Sequence, residues 1–316
     1  MTRTGFAMIA ALFVTMLVSG FALDQALRSR AERRHTLNAV ADLRARAAAR
    51  AGVAHIVARL RVLQRRAAVL DQPPDGHADS WIRVDALAQD LGDVAVRDGS
   101  RYSVRVQDAA SRLPLNDATE EELRLLFMAL GADSREADVA SQSILDWRDP
   151  DGLHRPRGAE WDDYYRHLSP PVVPRNGPFP RLEELRHVRG MAQLYGRAAE
   201  HLTILGDGRV NLNTAPEPVL RALPGLSDEV VAVILGRRAA GIPLRNLFEL
   251  EPGLSAPARA VLQQSFAALA RRTAFEPHAL EIAASGWVQG TKIRRSVHAL
   301  AVRTGSDIQV VWSVER

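Results

Sequence analysis

FAMIAALFVTMLVSGFAL, residues 6–23, is the stretch from which the rest of the chain is read. It holds eighteen residues without a charge. As a helix rising about 1.5 Å per residue it would span roughly 27 Å, close to the hydrocarbon thickness of a bilayer. Beyond it, charged residues recur every few positions. The chain therefore reads as one membrane anchor followed by a large water-soluble body.

Three processing schemes fit the residues around this stretch. MTRTG precedes it, and a loose small-residue site at Ser19, Gly20 and Ala22 would suit a removed secretory signal. An uncleaved signal anchor is the second reading. The third is cleavage after Gly5, leaving Phe6 as the new N-terminus. Arg28, Arg30, Arg33 and Arg34 follow the apolar run, and by the positive-inside tendency they would put the body in the cytoplasm.

Composition sets wide bounds. The 316 residues can hold two or three domains. The formal charge is only +4, although the pI is near 10 because almost all cations are Arg. That is weak support for a nucleic-acid partner. The absence of Cys excludes disulfides and thiolate metal sites. Aromatic residues are too few for an extended base-stacking surface.

From residue 24 to about residue 70 there is no Pro and a single Gly, Gly52, and good helix formers dominate. Leu37, Val40, Ala41, Ala48, Ala51, Ile56, Leu60 and Leu63 recur at helical spacing. With the anchor, this predicts one helix of about 65 residues, roughly 100 Å long. QPPDG at 72–76 would end it. RYSVRVQ at 101–107 alternates like a half-buried strand, with 93–97 as its hairpin partner across Asp98-Gly99. Strand patterns return at 280–288, 294–302 and 308–314, where Ile308, Val310, Trp312 and Val314 alternate. Strands on both sides of a helical interval predict one antiparallel sheet interrupted by an insertion and packed on the stem helix.

The insertion repeats itself. RLPLNDATEEEL at 112–123 and RVNLNTAPEPVL at 209–220 share R-x-x-L-N-x-A-x-E-x-x-L. Ile144-Leu145 then matches Ile234-Leu235, and Phe179-x-x-Leu182-x-Glu184-Leu185 matches Leu244-x-x-Leu247-x-Glu249-Leu250. Asp117 with Glu120, and Thr214 with Glu217, have capping-box spacing. Asn116 and Asn213 fit a backbone-bonding role in turns. LPGL at 223–226, followed by a helix, resembles the helix-hairpin-helix of DNA-binding proteins. Ser227, Asp228 and Glu229 stand where such hairpins approach phosphate, so a shared fold without DNA binding is expected.

The first repeat carries a long insertion at 146–179, with Asp149, Asp151, Glu160, Asp162 and Asp163 within fifteen residues. Clustered carboxylates and free loop carbonyls are the hard oxygens that Ca²⁺ prefers, although the spacing is not that of an EF-hand. A solvated loop whose acids pair with Arg148, Arg155 and Arg157 is the plainer reading. There is no HExxH, GxSxG or P-loop, and His154 and His167 lack metal-pair spacing.

Several motifs together carry a family resemblance. A short basic leader, Gly5, Phe6 and an apolar helix resemble the N-terminus of type IV pilins and pseudopilins. The fifth mature residue, usually Glu, is here Ala10. The body contains D-W-R-D-P-D-G at 146–152, G-A-E at 158–160, Tyr164, Pro170-Pro171, N-G-P-F at 176–179, L-E-E-L-R-H-V-R-G-M at 182–191 and VNLNTAP at 210–216. Together these resemble the protein K family of type II secretion, the minor pseudopilin K of the general secretion pathway. The resemblance implies an α+β pseudopilin fold: a long N-terminal helix on an antiparallel sheet, with an all-α insertion of two related SAM-like or helix-hairpin-helix-like units. It implies a leader at 1–5, a transmembrane helix at 6–27, and the stem and first strands at 28–111. The helical units would follow at 112–205 and 206–275, and closing strands at 276–316.

The resemblance further implies a non-enzymatic subunit of the inner membrane, with its body in the periplasm. It would be cleaved after Gly5 by prepilin peptidase and methylated at Phe6. It would meet minor pseudopilins I and J at the pseudopilus tip, help initiate and cap assembly, and support export of folded proteins. Calcium would be held by Asp149, Asp151, Glu160 and Asp163, with Asp162 a further candidate. Trp161 follows Glu160 where the family often has an acid, which leaves the ligand set open. A membrane-tethered helix-hairpin-helix protein of DNA uptake is the alternative reading, and a calcium-dependent hydrolase acting through Glu160 is a third.

Overall fold

The structure, a computed structural model, describes residues 3–69, 91–304 and 307–315. Helix α1 (Arg3–Val69) runs unbroken for 67 residues. Within it lies a stretch long and apolar enough to cross a membrane, with none of that window buried against protein. The expected stop at 72–76 lies outside the described residues.

Only the second half of α1 docks on the body. Ala41, Ala45, Ala48, Ala49, Ile56 and Leu60 are buried, whereas Leu37 and Val40 remain 68% and 41% exposed. The predicted stripe thus begins at Ala41. The reason is the length of the sheet: Arg295, at the start of its fourth strand, pairs with Asp42, and among the described residues none packs on α1 closely enough to bury residues 11–40.

After α1, a short β1 (Val94–Ala95) pairs with β2 (Ser100–Asp108) across a left-handed turn at Asp98 and Gly99. The chain then leaves the sheet. A first helical unit contains β3 (Leu113–Pro114), α2 (Glu120–Ala129), α3 (Ser134–Arg148), α4 (Met191–Ala198) and β4 (Leu202–Thr203). A second contains β5 (Val210–Asn211), α5 (Glu217–Arg221), α6 (Asp228–Ala239), α7 (Ala256–Arg272) and β6 (Thr273–Ala274). The chain returns as β7 (Ala279–Val288), β8 (Arg294–Thr304) and β9 (Asp307–Glu315). The five-stranded sheet has the order β1-β2-β7-β8-β9 and is antiparallel throughout. Ser100 faces Val288 and Asp108 faces Leu280, so strands on either side of both helical units are direct neighbours.

Small residues let α1 approach the sheet. A Cβ on Gly286 would run into the Ala45 carbonyl oxygen and the Ala49 nitrogen. One on Gly52 would stand 2.9 Å from a Val104 methyl and 3.0 Å from the Tyr102 ring. Further along α1, Arg61 donates to the Ile308 carbonyl at 2.9 Å. These contacts fix direction: β2 runs away from the apolar end of α1. The two helical units therefore leave the sheet at its far end.

Two local expectations are corrected. The alternation expected for β9 fails at its middle, because a bulge lets Ala301 face Val310 and Leu300 face Trp312, with Val311 in excess. Ile308 is buried, but Val310, Val311 and Trp312 are 43%, 56% and 47% exposed. The capping boxes also sit elsewhere. Helix α2 begins after Thr119, whose box partner is Glu122, and neither Asp117 nor Glu120 takes that role. At α5 the cap position is Pro216, with no side-chain cap, and the Thr214 hydroxyl donates instead to Asp108 at 2.6 Å.

Candidate functional site

The two helical units share one bonding scheme. Asn116 donates to the Phe179 carbonyl (3.0 Å) and accepts from the Phe179 N–H (2.8 Å). Asn213 does the same with Leu244, at 2.7 and 2.8 Å. Arg148 caps the carbonyls of Leu115 and Ala118, and Arg238 caps those of Leu212 and Ala215. A two-residue parallel bridge closes each unit: β3 with β4, and β5 with β6. One hydrophobic core runs through both, from Leu113 to Leu269. Glu122 of the first unit and Arg272 of the second form a two-point ion pair at 2.6 and 3.0 Å.

Helix α7 packs against one side of the hairpin at 223–226, while Pro224 stays exposed. A Cβ on Gly225 would collide with the Ser265 side chain, because α7 packs directly over the turn. In the first turn of α6, Asp228 pairs with Arg221, and Glu229 accepts from Ser255 N–H (2.5 Å) and Oγ (2.6 Å).

The acidic loop is anchored by aromatic packing. Trp147, Tyr165 and Phe179 are buried, with Trp147 edge-on to Tyr165 at 5.2 Å and stacked over Phe179 at 6.4 Å. The Tyr165 hydroxyl accepts from the Arg189 N–H at 3.1 Å. These rings hold a largely irregular segment whose regular structure between α3 and Phe179 is one 3-10 turn, Tyr165–His167.

Within that frame the carboxylates separate by role. Asp146 is fully buried, with Arg155 at 2.5 Å, and burial pushes its carboxyl up against the opposing pull of that guanidinium. Gly158 packs so closely on Asp146 that a side chain there would overlap it. Asp149 caps the end of α3 and bonds Arg155 through Oδ2 at 2.7 Å, while its Oδ1 is buried without a partner. Asp151 accepts from the Leu153 N–H at 2.9 Å. Glu160 is only 2% exposed, and its Oε1 is likewise buried without a partner. Burial, then the Asp146 and Asp149 charges, push the Glu160 carboxyl up to about 7. Asp163 turns toward the Glu160 N–H at 2.7 Å, and exposed Asp162 pairs with Arg166.

Among the described residues, no three acidic or histidine side chains are drawn together closely enough to hold a metal ion as they stand. The donor chemistry nonetheless suits a hard cation. Two buried carboxylate oxygens of the loop lack any donor, Asp146 and Asp149 share the single counter-charge of Arg155, and the charges of Asp146, Asp149 and Asp151 all bear on Glu160. The ligand set read from sequence omits Asp146, whereas the expected pairing of Arg155 with the loop's acids is present, to Asp146 and Asp149. Gly158, two residues before Glu160, was the available signal of close packing. Of the other arginines expected to pair with the loop, Arg157 pairs with Asp138 and Arg148 serves the backbone of the first unit. Gly5, Phe6 and Ala10 lie within α1, and their side chains are outside what is described.

Comparison with known proteins yields a consistent set. Two profiles of the family "Type II secretion system (T2SS), protein K" match residues 100–207 and 210–268, together more than half of the chain. Type II secretion system protein K of Aeromonas hydrophila is 33% identical over 157 residues, covering 43% of this chain and 45% of that protein. Its counterpart in Pectobacterium carotovorum is 31% identical over 122 residues, or 37% of each chain. The matched regions thus span less than half the length of these relatives. In fold, the chain is similar to a structure described as the GspK-GspI-GspJ complex from enterotoxigenic Escherichia coli. The TM-score is 0.59 at 17% identity, covering 76% of this chain and 93% of that one. On this match of both helical units, the chain belongs to the type II secretion system protein K family.

Proposed function

We propose that the chain is a minor pseudopilin that caps the tip of the type II secretion pseudopilus and helps initiate its assembly for export of folded proteins. Its role is structural rather than catalytic. Residues 6–27 anchor it once in the inner membrane, with the body in the periplasm. Minor pseudopilins I and J are its partners. Prepilin peptidase cleaves after Gly5 and methylates Phe6.

One observation carries this reading: β2 and β7 are hydrogen-bonded neighbours whose helical insertion leaves at the end farthest from the anchor. A subunit added above would meet the insertion. Ala10 supports the same position, since the top subunit has no neighbour above it to receive a Glu carboxylate. The two units are read as related SAM-like or helix-hairpin-helix-like modules, supported by their matching Asn and Arg bonds. Asp228 and Glu229, in the first turn of the helix after the hairpin, favour this role over DNA uptake, since their charges would repel the phosphate such a turn approaches.

We propose calcium as a structural ion held by Asp149, Asp151, Glu160 and Asp163. The unpartnered oxygens of Asp149 and Glu160 support it. A bound cation would neutralise the crowded carboxylates and tie the loop to the end of α3. Mass spectrometry of the membrane form tests the pseudopilin reading. N-methylated Phe6 is the expected first residue; a chain beginning at Met1, or beyond Leu23, contradicts it. Co-purification of the full chain with pseudopilins I and J tests the partners.

A further inference from the structure

On the first helical unit, away from the acidic loop's interior, two open hollows adjoin and share Arg135 and Val139. One, of about 360 Å³, is bounded by Arg157, Arg189 and Pro156. The other, of about 330 Å³, is bounded by Arg197, Leu194 and Ala192.

The nearby acids do not balance these cations. Glu136 lines the second hollow and keeps its charge while accepting from the Asp133 N–H at 3.1 Å, so one lining acid stands against the four arginines Arg135, Arg157, Arg189 and Arg197. Asp138 is taken by Arg157 at 3.0 Å. Arg189 bonds the Gly158 carbonyl (2.9 Å) and lies over the Tyr164 ring, and Arg197 bonds the Leu130 carbonyl (2.7 Å). Those contacts orient both guanidiniums without neutralising them. Arg135 has no partner among the described residues, and it sits in the first turn of α3, where the helix dipole disfavours a cation. The fold gains nothing from a cation there.

We propose that these hollows bind an acidic peptide segment, with one carboxylate side chain seated in each. Arginine presents a planar fork that grips a carboxylate through two parallel bonds. Each hollow is far larger than a lone phosphate or carboxylate and falls in the size range of sites for extended ligands. Val139, Pro156 and Leu194 give aliphatic walls for the stems of Glu side chains and the chain joining them. A small inorganic anion would use neither the second hollow nor these walls.

The full chain in uncharged detergent micelles, titrated by fluorescence anisotropy against a labelled hexaglutamate peptide, tests this. Saturable binding that weakens as salt rises is expected. Arg135→Glu with Arg197→Glu should weaken it roughly tenfold. Glu at position 135 suits the first turn of α3, so an unchanged thermal transition will show that the fold survives. Arg271→Glu, on the second unit, should leave binding intact. Absence of binding, an equal loss from Arg271→Glu, or equal competition by inorganic phosphate or by phosphatidylglycerol vesicles overturns the proposal.

Discussion

Asn211, the last residue of β5, donates a 2.7 Å hydrogen bond to Oδ2 of Asp108, the last residue of β2. The same oxygen accepts from the Thr214 hydroxyl at 2.6 Å, and Oδ1 accepts from the Ala110 N–H at 2.9 Å. Asp108 is 2% exposed. One carboxylate thus fastens the second helical unit to the strand from which the chain left the sheet. An asparagine at 108 keeps the shape but turns one acceptor into a donor facing other donors. Asp108→Asn should cost about 2 kcal/mol in stability, the scale of a buried polar mismatch. Urea unfolding followed by circular dichroism measures it. Protease cleavage between residues 205 and 210 should increase in parallel.

The docking of α1 makes a sharper demand. At Gly286 an added methyl meets helix backbone, which cannot rotate away; at Gly52 it meets side-chain carbons of Val104, Tyr102 and Ala284. Gly286→Ala should therefore destabilise by about 3 kcal/mol, and Gly52→Ala by less, since side chains yield before backbone does. Denaturant midpoints of the two variants give the order directly. A larger loss at Gly52 would mean that the helix, not the sheet, adjusts.

Much of this architecture is legible because it rests on periodicity. The long helix, the hairpin at Asp98-Gly99 and the strands around the insertion follow from spacing alone. The inward turn of Gly286 is not legible, because in sequence it is one small residue in a strand that reads well without it. The β9 bulge escapes for a similar reason: Ile308, Val310, Trp312 and Val314 alternate in sequence, and the extra residue is defined only by its partner on β8. Capping boxes were misplaced because Asp117 and Thr119 both offer an oxygen three residues before a Glu. The Asp117 N–H is already drawn back to the Pro114 carbonyl, which leaves the helix to start two residues later. In the acidic loop the residue types are visible, but which carboxylates lack a donor depends on packing around Trp147 and Tyr165.

The paired asparagines support a third prediction. Asn116 and Asn213 each satisfy both backbone groups of one distant residue. Alanine at either site leaves a buried N–H and a buried C=O unpaired, so each substitution should cost about 2–3 kcal/mol. Asn213→Ala should cost more, because Asn213 also bonds the Phe275 carbonyl at 2.7 Å. The two sites share no partner, so the double variant should show the sum of the single losses within about 0.5 kcal/mol. Equilibrium unfolding of the three variants is sufficient. Strong non-additivity would reveal that the units open together through their common core.

Glu160 allows the cation proposal to be tested through pH. Its carboxyl, pushed up to about 7 in the metal-free fold, has an ordinary value near 4.5. Between those values the folded chain holds a proton that the unfolded chain has released. Stability conferred by protonated Glu160 is therefore full below pH 4.5 and declines as pH rises toward 7. In chelator, the melting temperature should fall across that interval, and Glu160→Gln should flatten the slope. Calcium should reverse the trend, because a cation binds the ionised carboxylate and stabilises the fold more as pH rises. Differential scanning fluorimetry of both forms, with calcium and with chelator, makes the comparison. If calcium raises the melting temperature of wild type and Glu160→Gln equally at pH 7, the ion acts elsewhere on the chain and Glu160 is not among its ligands.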